Sequence, residues 1–436
     1  MDAPLSDEES SFLETLPTVI MLQILSYLHW TDKLNLGEAI PSWEEALCSS
    51  IAWPHIDYRE ISLRCQKDRI VLYNCIEQYG AYIQSISISF RSALGIGGSQ
   101  ILKEIRCKCH NLSRLEFATT IWDPCGGVLF CQILSSCRQL KEVSLVKPSL
   151  VWGLGKVCKD SVLVPLIKDG HSSKITKLLL SSESLIDHEG TLDILKNFTR
   201  LRTLRVRREE LSDDVLIHLA RHSLANLSIF QDEEMPLSEP MVYTASVWEE
   251  VLNLQPAFHV NLVLRHIVLL RSLFPVMVPL RALVLVDLSA SLTKGILDTI
   301  SEHYHYTLEV FVYSKSYLVG SANLEDRRLP LALLDLACRC KKLHTLVYGF
   351  EISSTTALLL AHKRKLRHFS ILLEELSFEF DWCHQPDWKP EYVEWLRQSG
   401  RSILTLEEEI SKLLGYKWRV ASDQSMFQDV SYFVNI

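Results

Sequence analysis

The chain has 436 residues, 47% hydrophobic and 22% charged, which is material for a sizeable core or a long array of stacked units. A formal charge of −8 argues against a general nucleic-acid binder, which needs a basic face. The most apolar stretch, residues 260–288, is broken by Arg265, His266, Arg271 and Arg281, and no uncharged run in it reaches the roughly 18 residues of a membrane span. Residues 1–11 are acidic and serine-rich where a secretory leader would be basic and then apolar. Twelve cysteines without such a leader point to reduced, mostly buried thiols. The expectation is a soluble, cytoplasmic and/or nuclear protein whose partners are neither nucleic acid nor membrane.

In chain order, Ser6, Asp7, Glu8, Glu9, Ser10 and Ser11 mark an N-terminus expected to stay disordered, residues 1–11. Pro17 suits the first turn of a helix, where its missing N–H costs nothing. From Val19 to Leu28 only Gln23 and Ser26 interrupt an apolar run, and a helix apolar nearly all round must be covered on more than one side. Asp32 is placed to cap a second helix carrying Leu34, Leu36, Ala39 and Ile40. Pro41 limits that helix or opens the next, where Trp43, Ala46 and Leu47 supply a third apolar face. About 40 residues are too few to bury so much apolar surface alone.

The segment Leu16-Pro17-x-x-Ile20-x-Leu22-x-Ile24-Leu25-Ser26-Tyr27-Leu28, followed by Asp32-x-Leu34, Trp43 and Trp53, resembles an F-box and runs without a gap from Leu16 to Trp53. Two departures stand out. Val19 takes the place of a frequent acidic residue, and Ala39-Ile40-Pro41-Ser42 replaces the usual Val-Cys-Lys/Arg run before the tryptophan. The resemblance implies binding of the Skp adaptor and, through it, a cullin scaffold. By analogy the contacts would be Leu16, Pro17, Ile20, Leu22, Ile24, Leu25, Tyr27, Leu28, Leu34 and Trp43, with Trp53 packing the box, residues 12–57, against the next segment of the chain.

A second pattern then recurs. Ile83-x-x-Ile86-x-Ile88, Leu112-x-x-Leu115-x-Phe117, Leu140-x-x-Val143-x-Leu145, Ile175-x-x-Leu178-x-Leu180 and Leu201-x-x-Leu204-x-Val206 are followed by five more. These begin at Leu224, Leu280, Leu308, Leu343 and Leu366, and the double spacing before Leu280 leaves room for a degenerate unit at Val260-x-Leu262-x-Leu264. About eleven irregular units with a period near 28 fall in the range of leucine-rich repeats. Each would place a short strand, a loop and an amphipathic return helix, with helices over 99–109, 126–137, 213–222 and 330–340. Cys109, Cys137 and Cys340 each stand three residues before the next strand motif, which resembles the cysteine-containing repeats often joined to F-boxes.

The expected fold is α/β: a three-helix F-box, then a curved leucine-rich-repeat solenoid over 58–375 with parallel strands inside and helices outside. Residues 376–436, rich in Trp and Tyr, would cap the last unit or join a binding pocket. Strand residues between the apolar positions should face outward on the concave side: Glu116, Ser144, Lys177, Thr203, Arg205, Arg207, Ser228, Thr345, His368 and Ser370. Among them, 203–208 is the most charged patch and would favour an acidic partner.

No catalytic constellation is visible. In the run Gly95-Ile96-Gly97-Gly98, placed between strand and helix, Gln100 stands where a dinucleotide loop needs its third glycine. Leu219 stands between His218 and His222 where a zinc protease needs glutamate. Cys107-Lys108-Cys109-His110 lacks a second ligand pair at zinc spacing, and no Gly-x-Ser-x-Gly elbow occurs. With no catalytic, metal or cofactor residue to name, the expectation is the non-catalytic substrate receptor of a Skp–cullin–F-box ubiquitin ligase. Its repeats would hold an unidentified protein substrate. The alternative is a leucine-rich-repeat interaction scaffold without a ligase role.

Overall fold

The computed structural model describes residues 13–59, 66–90, 95–119, 124–145, 159–180, 194–207, 210–232, 244–265, 277–288, 292–315, 329–380, 382 and 388–434. The disordered N-terminus expected over 1–11, and Arg208, lie outside them. The chain forms two compact units, Met1–Thr203 and Leu204–Ile436.

The first unit opens with three helices. Pro17 precedes α1 (Thr18–Tyr27), its carbonyl accepting from the amides of Ile20 and Met21 at 2.9 and 3.1 Å. The cap of α2 (Trp30–Ala39) is His29, whose ring accepts from the Thr31 amide; Asp32, expected as the cap, sits inside the first turn. It still complements the helix dipole there. Pro41 opens a 3-10 turn, Pro41–Trp43, that runs into α3 (Glu44–Leu47).

Indoles tie these helices together. Trp43 Nε1 donates to Leu13 O (2.9 Å), Trp53 Nε1 to Leu47 O (2.7 Å) and Trp30 Nε1 to Asp57 O (3.1 Å). Trp53, fully buried, stacks on Tyr79 at 4.7 Å between ring centroids. Because Tyr79 closes α4 (Gln66–Tyr79), Trp53 joins the helices to the first repeat, as the sequence suggested. Lys33 is buried too. Its ammonium donates to Ala52 O at 2.6 Å and lies 5.6 Å from the Trp53 ring, and burial lowers its pKa.

The repeats come next. Strands β1 (Ile56–Arg59), β2 (Ser85–Phe90), β3 (Arg114–Thr119), β4 (Glu142–Leu145) and β5 (Lys177–Leu180) pair in chain order, every pair parallel. Parallel neighbours need a crossover, here α5 (Gly95–Lys108), α6 (Pro124–Ser136) and α7 (Lys159–Lys168). The glycines at 95, 97 and 98 therefore lie in the first turn of α5 and not in a loop before it. In register, Ile86, Leu115, Val143 and Leu178 form one buried row, and Ile88, Phe117, Leu145 and Leu180 the next. The repeated cysteines end the return helices. Cys137 Sγ donates to Cys109 O at 3.3 Å, so successive units are joined at that corner. Burial pushes the thiols up, to about 11 for Cys137 and about 12 for Cys340, which leaves them protonated and unreactive.

The second unit, from Leu204, contains β6 (Thr203–Arg207) apart from its first residue, then β7 (Asn226–Asp232), β8 (His259–Arg265), β9 (Leu280–Val286), β10 (Val310–Ser314) and β11 (Thr345–Tyr348). From β7 on, these pair in parallel, and β11 pairs with β13 (His368–Ile371). The degenerate unit is real: Val260 pairs with Leu227 and Leu262 with Ile229. A bulge between Val260 and Asn261 then shifts its register against β9. Short strands β12 (Ile352–Ser353) and β14 (Leu376–Ser377) form a separate pair.

Return helices are α8 (Asp213–His222), α9 (Ala245–Leu254), α10 (Lys294–Tyr304), α11 (Leu329–Arg339) and α12 (Ser354–Lys363). Two further helices, α13 (Pro390–Ser399) and α14 (Ile403–Leu414), pack on α12, every residue of which from Ser354 to Ala361 is buried. Gly415 ends α14 at φ 80°, a left-handed turn that glycine adopts without strain. After it, α15 (Asp423–Val434) crosses to the other face of the strands.

Two measurements test the packing of the first unit. Trp53→Ala should lower the unfolding free energy by about 3–5 kcal/mol in a denaturant titration, since the indole fills the joint between helices and repeats. The second concerns His171, buried with both ring nitrogens lacking a hydrogen-bond partner among the described residues. Burial lowers its pKa from 6.5, so the unfolded chain takes up the proton more readily. Stability is therefore full above pH 6.5 and erodes as pH falls through that value toward the lower folded one. A His171→Leu chain should show a shallower loss of stability between about pH 7.5 and 5.

Candidate functional site

Two surfaces come from the sequence expectations, one on the N-terminal helices and one on the strands. On α1, the buried side is Met21 and Leu25, one turn apart. Opposite them Val19 is 74% exposed, Ile20 41% and Tyr27 81%. Pro17 is exposed as well, and Leu16, Leu22, Ile24, Leu28 and Leu34 are half-buried. Eight of the ten residues expected to meet an adaptor thus retain solvent-facing surface, concentrated on α1. Leu25 and Trp43, at 0 and 1% exposure, do not: both face the bundle interior, Trp43 with its indole N–H spent on Leu13. Their role is to set the position of α1. Pro41 and Ser42, at the second departure from the F-box pattern, are exposed.

On the strands the two units differ. In the first, residues between the apolar rows are polar on β2 to β4: Ser87, Glu116 and Ser144 lie in one register row, which reaches the apolar Leu179 on β5, and Ser85, Arg114, Glu142 and Lys177 lie in the next. Glu116 accepts from Ser87 Oγ (3.1 Å) and pairs with Arg114 (3.3 Å), whose Nε is 3.7 Å from Glu142. Glu116, Lys177 and Thr203, expected to face outward, are half-buried; Ser144 is buried.

In the second unit the corresponding face is apolar. Phe230 on β7, Val263 on β8, Ala282, Val284 and Val286 on β9, Val310 and Val312 on β10 and Val347 on β11 form one cluster with Leu372, Ala421, Met426, Phe433 and Val434. A sheet apolar on both faces must be covered on both. Helices α8 to α12 cover one, and α15 lies on the other, against β10 and β13. Ser370 Oγ reaches Met426 Sδ (3.9 Å), His368 Nε2 reaches Asp429 Oδ2 (3.3 Å), and the His368 ring lies 5.5 Å from Phe433.

This corrects the expected substrate face. Ser228, Thr345 and Ser370 are buried, and His368 is paired to α15. Arg205, expected at the centre of a charged patch, is 3% exposed with its guanidinium 4.9 Å from the Phe230 ring; burial lowers its pKa to about 10. Arg207 is half-buried, its backbone amide donating to Glu210. An acidic partner therefore cannot be read from 203–208.

The signal for the second apolar face was in the sequence. Strands of the first unit alternate, as in Arg114-Leu115-Glu116-Phe117. Two strands of the second do not: Leu283-Val284-Leu285-Val286 on β9 and Val310-Phe311-Val312-Tyr313 on β10 are continuous apolar runs, the mark of a strand buried on both sides.

The tail aromatics form a connected group, with Trp388–Tyr392 at 5.5 Å and Tyr392–Trp395 at 5.3 Å. Trp382 Nε1 donates to Thr356 on α12, and Trp395 Nε1 to Glu409 on α14, so their polar atoms hold the closing helices together. Rings of His218 and His222 lie 4.5 Å apart, and His222 Nδ1 contacts the His218 carbonyl. Cys107 is exposed and Cys109 buried, so the two do not face one site. Among the described residues no three His, Cys, Asp or Glu side chains group as metal ligands, and no helix is long and apolar enough to cross a membrane.

The difference between the two strand faces has a measurable consequence. Val312→Asp should cost about 3–5 kcal/mol, because it buries an unpaired carboxylate between β10 and α15. Glu116→Ala, which removes a partly exposed ion pair, should cost under about 1 kcal/mol. Equal costs in thermal or denaturant unfolding would contradict the covered face.

No family model matches this sequence, and no curated protein matches it. Among solved structures, the yeast complex of Rad7 and Elc1 contains a chain similar at 12% identity and a TM-score of 0.46, over 87% of this chain and 91% of that one. An internalin of Listeria monocytogenes is similar at 13% identity and a TM-score of 0.31, over 76% of this chain and 78% of that one. Both scores lie below 0.5, and the fold rests on the chain's own strands and helices.

Proposed function

We propose that the chain is a non-catalytic substrate receptor of a Skp–cullin–F-box ubiquitin ligase. In this reading the N-terminal helices are an F-box that binds the Skp adaptor, and the repeats are leucine-rich repeats that hold the protein to be ubiquitinated. The observation that carries it is the outer side of α1. Val19, Ile20 and Tyr27 are exposed large apolar residues on one short helix, backed by a core that Trp43 and Trp53 make rigid. Exposed apolar side chains held on a preformed bundle are what a protein-docking surface requires.

Catalysis would then be by proximity. One end of the chain fixes the adaptor and cullin, and the repeats hold a substrate so that its lysines meet the ubiquitin-charged enzyme. Trp53 stacking on Tyr79 supports such a role, because it leaves no slack between the F-box and the first repeat. No cofactor enters this scheme.

The test is capture of purified Skp adaptor and cullin by the full chain, beside an Ile20→Asp/Tyr27→Ala variant. Both positions are on the surface, so the variant should keep the melting temperature of the parent. Adaptor binding should fall by about 30-fold or more, the loss of a central hot spot. Failure of the folded parent chain to capture adaptor would overturn the receptor reading in favour of the interaction scaffold.

A further inference from the structure

The apolar strand face of the second unit already holds a helix, and the way that helix is held suggests what else would fit. Up to Ala421 the chain is pinned. Trp418 Nε1 donates to Phe369 O at 2.7 Å, its ring stacks on Phe369, and Ala421 bridges β13, its amide on Ile371 O (2.8 Å) and its carbonyl on the Leu373 amide (3.0 Å). These are the last main-chain bonds between this segment and the strands among the described residues. Beyond Ala421, α15 meets the strands through side chains: Met426, Val430, Phe433 and Val434 on the apolar cluster, Asp429 on His368. Its outer side is solvated, with Tyr432 67% exposed.

We propose that this face is a groove for an amphipathic helix of a partner protein, and that α15 is its resident, displaceable occupant. The inference rests on the reading of the repeats as a protein-binding array and names the site and the chemistry of what it takes. The resident helix defines the ligand. Its apolar residues stand at i, i+4, i+7 and i+8, a single stripe on one helix face, with a carboxylate at i+3. A competing helix would lay the same stripe along Val284, Val312 and Val347, and set an acidic residue against His368.

The strands do not draw on α15 for their main-chain pairing. Their main-chain bonds run to one another and their opposite face is closed by α8 to α12. A segment held by side chains alone, joined at one pinned point, is the kind that opens without global unfolding. While it is docked, it competes at the high effective concentration of a tethered ligand and lowers the apparent affinity for any helix offered from outside.

The experiment uses a fluorescent synthetic peptide of residues 422–434 as the probe. Its anisotropy is measured against the full chain and against a full-chain Met426→Asp/Phe433→Asp variant whose own helix can no longer dock. The variant should bind the peptide at least about 10-fold more tightly than the parent, and a scrambled peptide should bind neither. Equal affinities for the two chains, or equal binding of the scrambled peptide, would overturn the proposal. Hydrogen exchange of the unaltered chain decides the matter even where the variant fails to fold. Amides of α15 should exchange about 100-fold faster than those of β10, β11 and β13. Exchange of helix and strands at one common rate would make α15 an integral part of the core and sink the groove. Neither measurement involves the adaptor, so its outcome and that of the adaptor capture stand apart.

Discussion

In a strand, side chains alternate between the two faces of the sheet, so a strand residue between two core positions has only two options. Where such residues are mainly polar the face can meet solvent, and where they are mainly apolar something must cover it, along with any polar neighbours in the row. The two units take different options. Strands β3 and β4 carry Arg114, Glu116, Glu142 and Ser144 between their core residues, and an ion-pair network occupies that face. Strands β9 to β11 carry Ala282, Val284, Val310, Val312 and Val347 there. For them a helix on one side is not enough. The existence of α15, the buried state of Ser228, Thr345 and Ser370, and the pairing of His368 follow from that one choice of residues.

Burial also explains which side chains lost the roles that spacing gave them. The F-box resemblance selects Leu25 and Trp43 together with Ile20 and Tyr27, because all recur in one pattern. A pattern cannot say which members face inward. On a helix, Met21 and Leu25 fall one turn apart on one stripe, and Val19, Ile20 and Tyr27 on others. Only the second group has surface to offer a partner. A variant that truncates Leu25 would lose binding by loosening the bundle, which is why surface positions separate docking from folding.

Much of the fold was legible. The Leu-x-x-Leu-x-Leu spacing located every repeat strand from β2 to β13 apart from the short β12, including the degenerate β8, and 213–222 was placed to the residue as α8. That success has a physical basis, since inward residues at i and i+2 with a third at i−3 leave little freedom in register. Strand β1 was missed: Ile56-Asp57-Tyr58-Arg59 is four residues long and lacks the preceding leucine. The capping residue of α2 was misassigned because a histidine ring can accept the Thr31 amide as a carboxylate would. The burial of Arg205 was not visible either, since nothing local marks a guanidinium that will rest on Phe230, a residue from the next strand. The tail's role depended on contacts between segments far apart in the chain, such as Ser370 with Met426 and α15 with β10, which no local pattern encodes.

The two candidate surfaces also differ in what binding would cost. The outer side of α1 is apolar, exposed and fixed by a core of tryptophans, so a partner there desolvates it without first moving anything. The apolar face of the second unit is larger, but its resident helix must leave before a partner can enter. Affinity at that site is the difference between two similar helix-in-groove interactions, not the full value of either. Such a site discriminates sharply: a helix that matches the resident stripe only in part cannot displace it. A partner matching the stripe and adding contacts beyond Val434 could.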